Sequence, residues 1–320
     1  MAQTFVSLGK VEAIRSLFEN TGFTPFQEPL NYNAEAGVTS ASKLFLEGTD
    51  FNLVYFPLKH LGYKSVVAVT GELYAAMSHP QTLSVVLGVS AKLDFEQIKE
   101  LWGGVVVAAR EFGYSSLSLE LVPSRNGLAI SIHAGGARSA KLTANPVKPQ
   151  SNDLLCISGS LGAAYLGQQL LEQQSRELDK YKMQLAAYLK PELSALTLSR
   201  LEESGICPSA AYFVTNGLSD AVLKMRRDTS LGAKIYADKI PFEGNSFTIG
   251  KQLDIDPFSA AMNGGDDYKL LLAIPIAQYE SFRKDFQTFD IIGHLALPEV
   301  GAVLVTPDGL EHQISAPGWK

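Results

Sequence analysis

The chain has 320 residues and a mass of 34.6 kDa, with 27 Lys+Arg against 33 Asp+Glu and a formal net charge of −6. Hydrophobic residues make up 46% and charged residues 19%, the profile of an ordinary water-soluble globular protein. The acidic balance argues against a protein built around nucleic-acid phosphate, and no stretch approaches the roughly 18 apolar residues of a membrane-spanning helix. At this length two domains are the default. The opening run MAQTFVSLGKVEAIRS has no basic segment leading into an apolar one, so it does not read as a signal peptide. Cys156 and Cys207 lack metal-ligand spacing and read as buried thiols of a reducing compartment, so a cytoplasmic protein is expected.

In chain order, Val11, Ile14, Leu17 and Phe18 share a face at helical spacing and predict an amphipathic helix over Gly9–Asn20. Thr21–Ser42 carries Pro25, Pro29, Asn31, Asn33 and Gly37 and reads as an extended arm or loop. Lys64–Thr70, Thr82–Ser90 and Leu128–Gly135 are strand candidates, and Leu117–Val122 alternates in the same way. Phe95–Gly113 is a helix, with Ile98, Leu101, Trp102, Val105, Val106 and Ala109 on one stripe. The proline-bearing, apolar-poor stretch Lys141–Asp153 marks a domain boundary, giving an N-terminal domain over 1–145 and a C-terminal one over 146–320. Beyond it come a strand over Asp153–Gly159, a helical region over Ala163–Lys190 closed by Pro191, and helices over Glu192–Ser204 and Ser219–Ser230. Strands are expected over Ala210–Thr215, Tyr268–Ile274, Phe289–Leu297 and Ala302–Thr306. The mixture is α/β followed by α+β, without strict βαβ alternation.

Three turns invite chemistry. Gly159-Ser160-Leu161-Gly162, between strand and helix, lets backbone N–H groups approach an anion, or is simply a tight packing turn. Asn216-Gly217-Leu218-Ser219-Asp220 is a second strand-to-helix junction, whose plain reading is a turn followed by an N-cap. Asn263-Gly264-Gly265-Asp266-Asp267 enters a strand with two carboxylates, suited to Mg²⁺ or a nucleotide or to a solvated turn. The five histidines, His60, His79, His133, His294 and His312, are scattered and read as structural or exposed.

Taken in order, these pieces resemble the thiamine-monophosphate kinase family. Leu8-Gly9-Lys10, Glu47-Gly48 with Asp50-Phe51, and Pro57-Leu58-Lys59-His60-Leu61-Gly62-Tyr63-Lys64 look like its N-terminal domain. Asn152-Asp153-Leu154 with Ser158-Gly159, Leu161-Gly162 resembles "GDL…TGxLG". Asn216-Gly217-Leu218 stands where the family has "DISDGL", and Ala261–Tyr268 resembles "GGEDYEL". Gly318-Trp319 resembles the terminal Gly-Trp. The resemblance implies the two-domain fold of aminoimidazole-ribonucleotide and selenophosphate synthetases, a homodimer formed through the N-terminal sheets, and small-molecule ligands. It further implies ATP and Mg²⁺ as cofactors for phosphorylation of thiamine phosphate to thiamine diphosphate, a transfer that works by positioning and charge neutralisation.

The family's metal-binding aspartates, carried over one at a time, meet other residues. The first acidic motif falls near Asn31–Ala36, where Glu35 is the acidic residue. Others fall on Lys43, Glu72 and Glu120, and the two of "DISDGL" fall on Phe213 and Asn216. Glu72 and Glu120 are thus the residual metal candidates. Lys43, Gly159, Gly162, Asn216 and Gly217 are the nucleotide or phosphate candidates, and Gly264, Gly265, Asp266, Asp267 and Trp319 the substrate-side ones. Three readings follow: a kinase with a rearranged acidic site, a dimeric ligand-binding or scaffold protein without turnover, or another ATP-dependent chemistry of the superfamily.

Overall fold

The computed structural model describes residues 10–22, 29–33, 35–173 and 178–316. Helix α1, Lys10–Phe18, precedes a hairpin of β1, Leu30–Asn33, and β2, Val38–Leu46. Helix α2 covers Leu58–Ala75, followed by β3, Ser78–Ser90, α3, Phe95–Glu111, β4, Ser116–Ser124, β5, Ala129–Arg138, and the short α4, Ala140–Thr143. The five strands form one sheet in the order β1-β2-β5-β3-β4. Only β3 and β4 run parallel, because the α3 crossover between them returns the chain in the same direction.

The second half opens with β6, Leu154–Ile157, α5, Ala163–Glu172, α6, Lys182–Leu189, and α7, Thr197–Ser204. Next come β7, Ala210–Val214, α8, Leu218–Thr229, β8, Gly232–Tyr236, α9, Ser246–Leu253, and α10, Pro257–Asn263. It closes with β9, Lys269–Ile274, α11, Tyr279–Asp285, β10, Asp290–Ala296, β11, Ala302–Val305, and β12, Glu311–Gln313. Its seven strands are ordered β12-β11-β8-β10-β6-β9-β7. One face, with Leu155, Tyr212, Ile235 and Leu271, packs beneath Leu218, Val222 and Met225 of α8 and Ala261 of α10. The opposite face, with Cys156, Ala211, Phe213, Leu270 and Leu272, shares one continuous core with α2, α3 and the first sheet. The architecture is the mixed two-sheet one that the sequence implies.

Several local expectations are corrected. Lys64–Thr70 is not a strand but the middle of α2. Its Val66-Val67 and Val69-Thr70 pairs look β-like, yet sixteen of the eighteen helix residues are buried. A helix apolar on every side leaves no 3.6-residue rhythm to read. Leu17 of α1 is exposed, and Ala13 is the residue of that helix that is buried. Within the supposed arm, β1 and the start of β2 form a hairpin, with Leu30 opposite Ala41. The helical region over 163–190 is two helices: α5 and α6 fold back on each other, so closely that a Cβ on Gly167 would lie 2.1 Å from the Gln184 carbonyl. Helix α7 begins at Thr197, five residues later than the pattern suggests. The elements missed, including β8, α9, α10, α11 and β12, are each eight residues or shorter, too brief to show a period. Cys156 is buried and its thiol is pushed up to about 12 by desolvation, whereas Cys207 is only half-buried.

Candidate functional site

Helix α2 lies between the two sheets and carries Lys64, Gly71 and Glu72 toward the second half. Lys43 stands on β2 beside them: it is paired with buried Ile132, and its neighbours Ala41 and Phe45 are core residues. Alternation therefore turns it to the α2 side of the sheet. Glu120 is elsewhere. It pairs with the exposed Val86 on edge strand β4, on the outward face of the first sheet, so the chain's fold does not bring Glu120 and Glu72 together.

The turn before β9 meets α2 end-on. Lys64 is 1% exposed, and its ammonium contacts Asp266 at 2.8 Å. The same ammonium lies 3.8 Å from the Tyr188 ring centre, 5.2 Å from Phe56 and 5.8 Å from Tyr268. Burial favours the neutral forms of both partners. For Asp266, which keeps 26% exposure, the Lys64 and Lys43 charges outweigh that and hold the carboxyl below its ordinary range. For Lys64 the desolvation dominates and lowers its pKa. The left-handed backbone at Gly265, φ 84°, and Asp266, φ 62°, swings this carboxylate toward α2, and the Asp266 N–H donates to the Thr215 carbonyl at 2.8 Å.

Asp267 turns the other way. It accepts from the Gly162 N–H at 2.9 Å and the Ala164 N–H at 3.5 Å, and so occupies the N-terminal end of α5 itself. The Gly159–Gly162 turn thus surrounds an internal carboxylate, and Gly162, at φ 76°, would press a Cβ to 2.9 Å from the Ala261 nitrogen. Burial pushes the Asp267 carboxyl up to about 7 against the pull of these N–H groups. Ser160 of the same turn donates to Glu243 at 2.9 Å.

At the start of α8, Asp220 is paired with Lys224 at 2.9 Å, both side chains 4% exposed, and accepts from the Asn216 amide at 3.3 Å. Burial raises the Asp220 carboxyl, but Lys224 and Lys10 overcome it and the net shift is downward. Gly217, at φ 93°, approaches the Met262 carbonyl so closely that a Cβ would sit 2.4 Å away. Glu72, 3% exposed, accepts from the Thr215 hydroxyl at 3.4 Å. Desolvation pushes its carboxyl up to about 7, with the Lys224 charge opposing. Phe213 is buried, its ring 5.7 Å from that of Tyr268 and pressed onto Gly71 of α2.

Lys10 and Lys43 complete the cluster. Lys10 is half-buried in α1, and burial followed by the Lys224 and Lys43 charges lowers its pKa, while Asp220 and Glu72 pull it up. Among the described residues neither lysine has a carboxylate in salt-bridge contact; Lys43 lies 5.6 Å over the Phe45 ring. Lys43 is a site candidate from sequence, whereas Lys10 and Lys64 enter there only within family-like runs and Lys224 does not enter at all. An i,i+4 Asp220–Lys224 pair was the available signal for the last. Glu35 is exposed. Leu8, Gly9, Gly318 and Trp319 lie outside the described residues. Among the described residues no three His, Cys, Asp or Glu side chains converge in a group suited to a metal ion.

The raised Glu72 carboxyl has a pH consequence. The folded state binds this proton more tightly than the unfolded chain, so stability from it is complete below the ordinary value of 4.5 and is lost as pH rises toward about 7. A shift of this size is worth on the order of 3 kcal/mol. Glu72→Gln holds the protonated shape at every pH. Urea unfolding is therefore expected to show the variant gaining on the native chain between pH 5 and pH 8; a difference that stays flat counts against the buried, raised carboxyl.

No protein-family model matches the chain. It is 24% identical to the thiamine-monophosphate kinase of Methanopyrus kandleri over 220 residues, 68% of this chain and 67% of that protein. With the thiamine-monophosphate kinase of Aquifex aeolicus it shares 20% identity over 317 residues, 98% of this chain and 96% of the relative. A solved structure of AaThiL complexed with AMPPCP and TMP superposes with a TM-score of 0.80 at 17% identity, covering 98% of this chain and 99% of that one.

Proposed function

For a chain that is by sequence and fold a relative of the thiamine-monophosphate kinases, we propose a ligand-binding role: it takes up a phosphorylated small molecule of the ATP or thiamine-phosphate kind and does not turn it over. The observation that carries this reading is the state of the carboxylates between α2 and the second half. Asp220 is engaged by Lys224, Asp266 by Lys64 and Asp267 by the α5 N–H groups, while Glu72 is pushed toward neutrality. Mg²⁺ takes a near-octahedral shell of oxygens and is usually bound through one or two free carboxylates plus substrate phosphates. Carboxylates already neutralised by ammonium groups or by a proton do not fit it.

Support for a ligand role comes from what remains. Lys43 stands beside the cluster, and the Asn216-Gly217 turn leads directly into it, so these keep their place as phosphate candidates. We assign Gly162 to the Asp267 cap and to close packing on α10, Gly264 to close packing on Tyr165, and Gly265 to the left-handed turn that delivers Asp266 to Lys64, while Gly159 supplies a backbone position at φ 136° that favours glycine. We assign residues 1–145 and 146–320 as the two domains. We further assign a homodimer through the outward face of the first sheet, where Leu44, Leu46, Val86 and Val122 are exposed, with the cytoplasm as the compartment. Sedimentation is expected to give about twice 34.6 kDa at micromolar concentration; a monomer removes the dimer.

Phosphorus NMR with ATP, thiamine phosphate and Mg²⁺ tests the function itself. The expected spectrum shows no growth of thiamine diphosphate over hours, with an active kinase confirming the assay, while calorimetry detects binding of ATP or thiamine phosphate. Sustained thiamine diphosphate formation would replace this reading with a rearranged kinase.

A further inference from the structure

Between the two halves lies a cavity of about 250 Å³, apart from the lysines and carboxylates already described. Thr39 of β2, the residues leaving α2 and Arg138 of β5 form one side of it, and the start of β7 with Asp228 and Thr229 of α8 the other. Along α8, Asp228 stands about 12 Å from Asp220 at the helical rise. Ala75, Met77, Pro149 and Pro208 make part of the wall apolar. The hydroxyls around it are committed. Ser209 donates to Asp153 at 2.6 Å, Thr229 to the Met225 carbonyl at 2.7 Å and Tyr212 to Asp228 at 2.9 Å, and Thr39 is fully buried against Ser78. Asp228 is also met by the Arg227 guanidinium at 2.6 Å. Arg138 is different. Its guanidinium lies 4.8 Å over the Tyr32 ring, its Nε is buried without an acceptor, and among the described residues no carboxylate stands in salt-bridge contact with it. A cation held partly out of water without a counter-charge is costly, and an anion beside it removes that cost.

We propose that this cavity binds a small monocarboxylate with a short apolar body, its carboxylate paired with Arg138. The planar fork of a guanidinium matches a carboxylate bidentately, and the alanine, methionine and proline wall suits a hydrocarbon body. At roughly 30 Å³ per water-sized group the space holds about eight non-hydrogen atoms. Asp228 in the same wall disfavours a second negative charge, which sets a monocarboxylate above a phosphate dianion. The site is separate from the phosphate-ligand reading and does not rest on it.

The test is calorimetry of the full chain with 4-methylpentanoate, its neutral amide and inorganic phosphate as probes. The expected result is saturable binding of the carboxylate with a Kd of about 1 mM, and binding of the amide and of phosphate weaker by about tenfold or more. Arg138→Met should weaken the carboxylate by about tenfold or more, with Arg138→Lys recovering only part of it, because an ammonium lacks the fork. Thermal unfolding without ligand checks that both variants remain folded. In the native chain labelled with ¹⁵N-arginine, one Nε–H resonance should shift on titration, and it is the resonance missing from Arg138→Lys. Equal binding of acid and amide, an Arg138→Met chain that binds as tightly as the native one, or a shifting resonance other than that of Arg138 overturns the site. So does an absence of binding at about 10 mM carboxylate. Tighter binding of phosphate than of the carboxylate overturns the choice of a monocarboxylate.

Discussion

Lys64→Met is expected to destabilise the protein by about 3 kcal/mol. The side chain is 1% exposed, among Phe56, Tyr188 and Tyr268, and its ammonium is the direct partner of Asp266. Methionine fills nearly the same volume, so the packing survives and the cost is electrostatic. Asp266 loses its direct partner and keeps only the Lys43 charge, while Asp50 remains a like charge nearby. The 26% exposure of Asp266 lets water recover part of the loss, which places the cost at the low end for a broken buried pair. Lys64→Met with Asp266→Asn removes both charges and should be more stable than Lys64→Met alone by about 1–2 kcal/mol. Urea unfolding of the three chains reads this directly. A double variant no better than the single one would mean that the aromatic enclosure, and not the ion pair, is what Lys64 supplies.

The second large effect belongs to Gly71 and Phe213. Gly→Ala inside a helix normally stabilises by about 1 kcal/mol, but a Cβ on Gly71 would lie 2.0 Å from the tip of the Phe213 ring. That ring is 3% exposed and backed by Tyr268, so it has little room to withdraw. Gly71→Ala is expected to cost about 2 kcal/mol. Phe213→Ala on its own leaves a cavity and should cost about 3–5 kcal/mol. In that background Gly71→Ala changes sign: the methyl enters the vacated space and the helix preference returns, giving a gain of about 1 kcal/mol. A Gly71→Ala penalty that persists without the Phe213 ring would place the strain elsewhere on α2.

Legibility of the sequence differed by element for physical reasons. Helix α3 could be read because one stripe faces the core and the rest faces water, and β3 and β5 because they are bounded by polar residues. Helix α2 could not, since burial on every side erases the contrast that periodicity needs. The site was legible in part. Asp266, Asp267 and Asn216 could be singled out from their glycine-rich turns, but the same turns cannot show that Asp267 closes a helix end while Asp266 seeks a lysine 202 positions away. Lys10 lies in a helical run where a lysine ordinarily faces solvent, Lys64 opens a run whose pattern suggests a strand, and the burial of Lys64 comes only from tertiary packing.

The burial of α2 also sets an order of events on the ribosome. Its Lys64 face is completed by Tyr188, Asp266 and Tyr268, and its Gly71–Glu72 face by Phe213 and Thr215. When the first five strands have emerged, none of these partners has yet been synthesised. The nascent first half must therefore wait with an uncovered helix until residue 268 has cleared the exit tunnel, so this chain completes its folding late in translation.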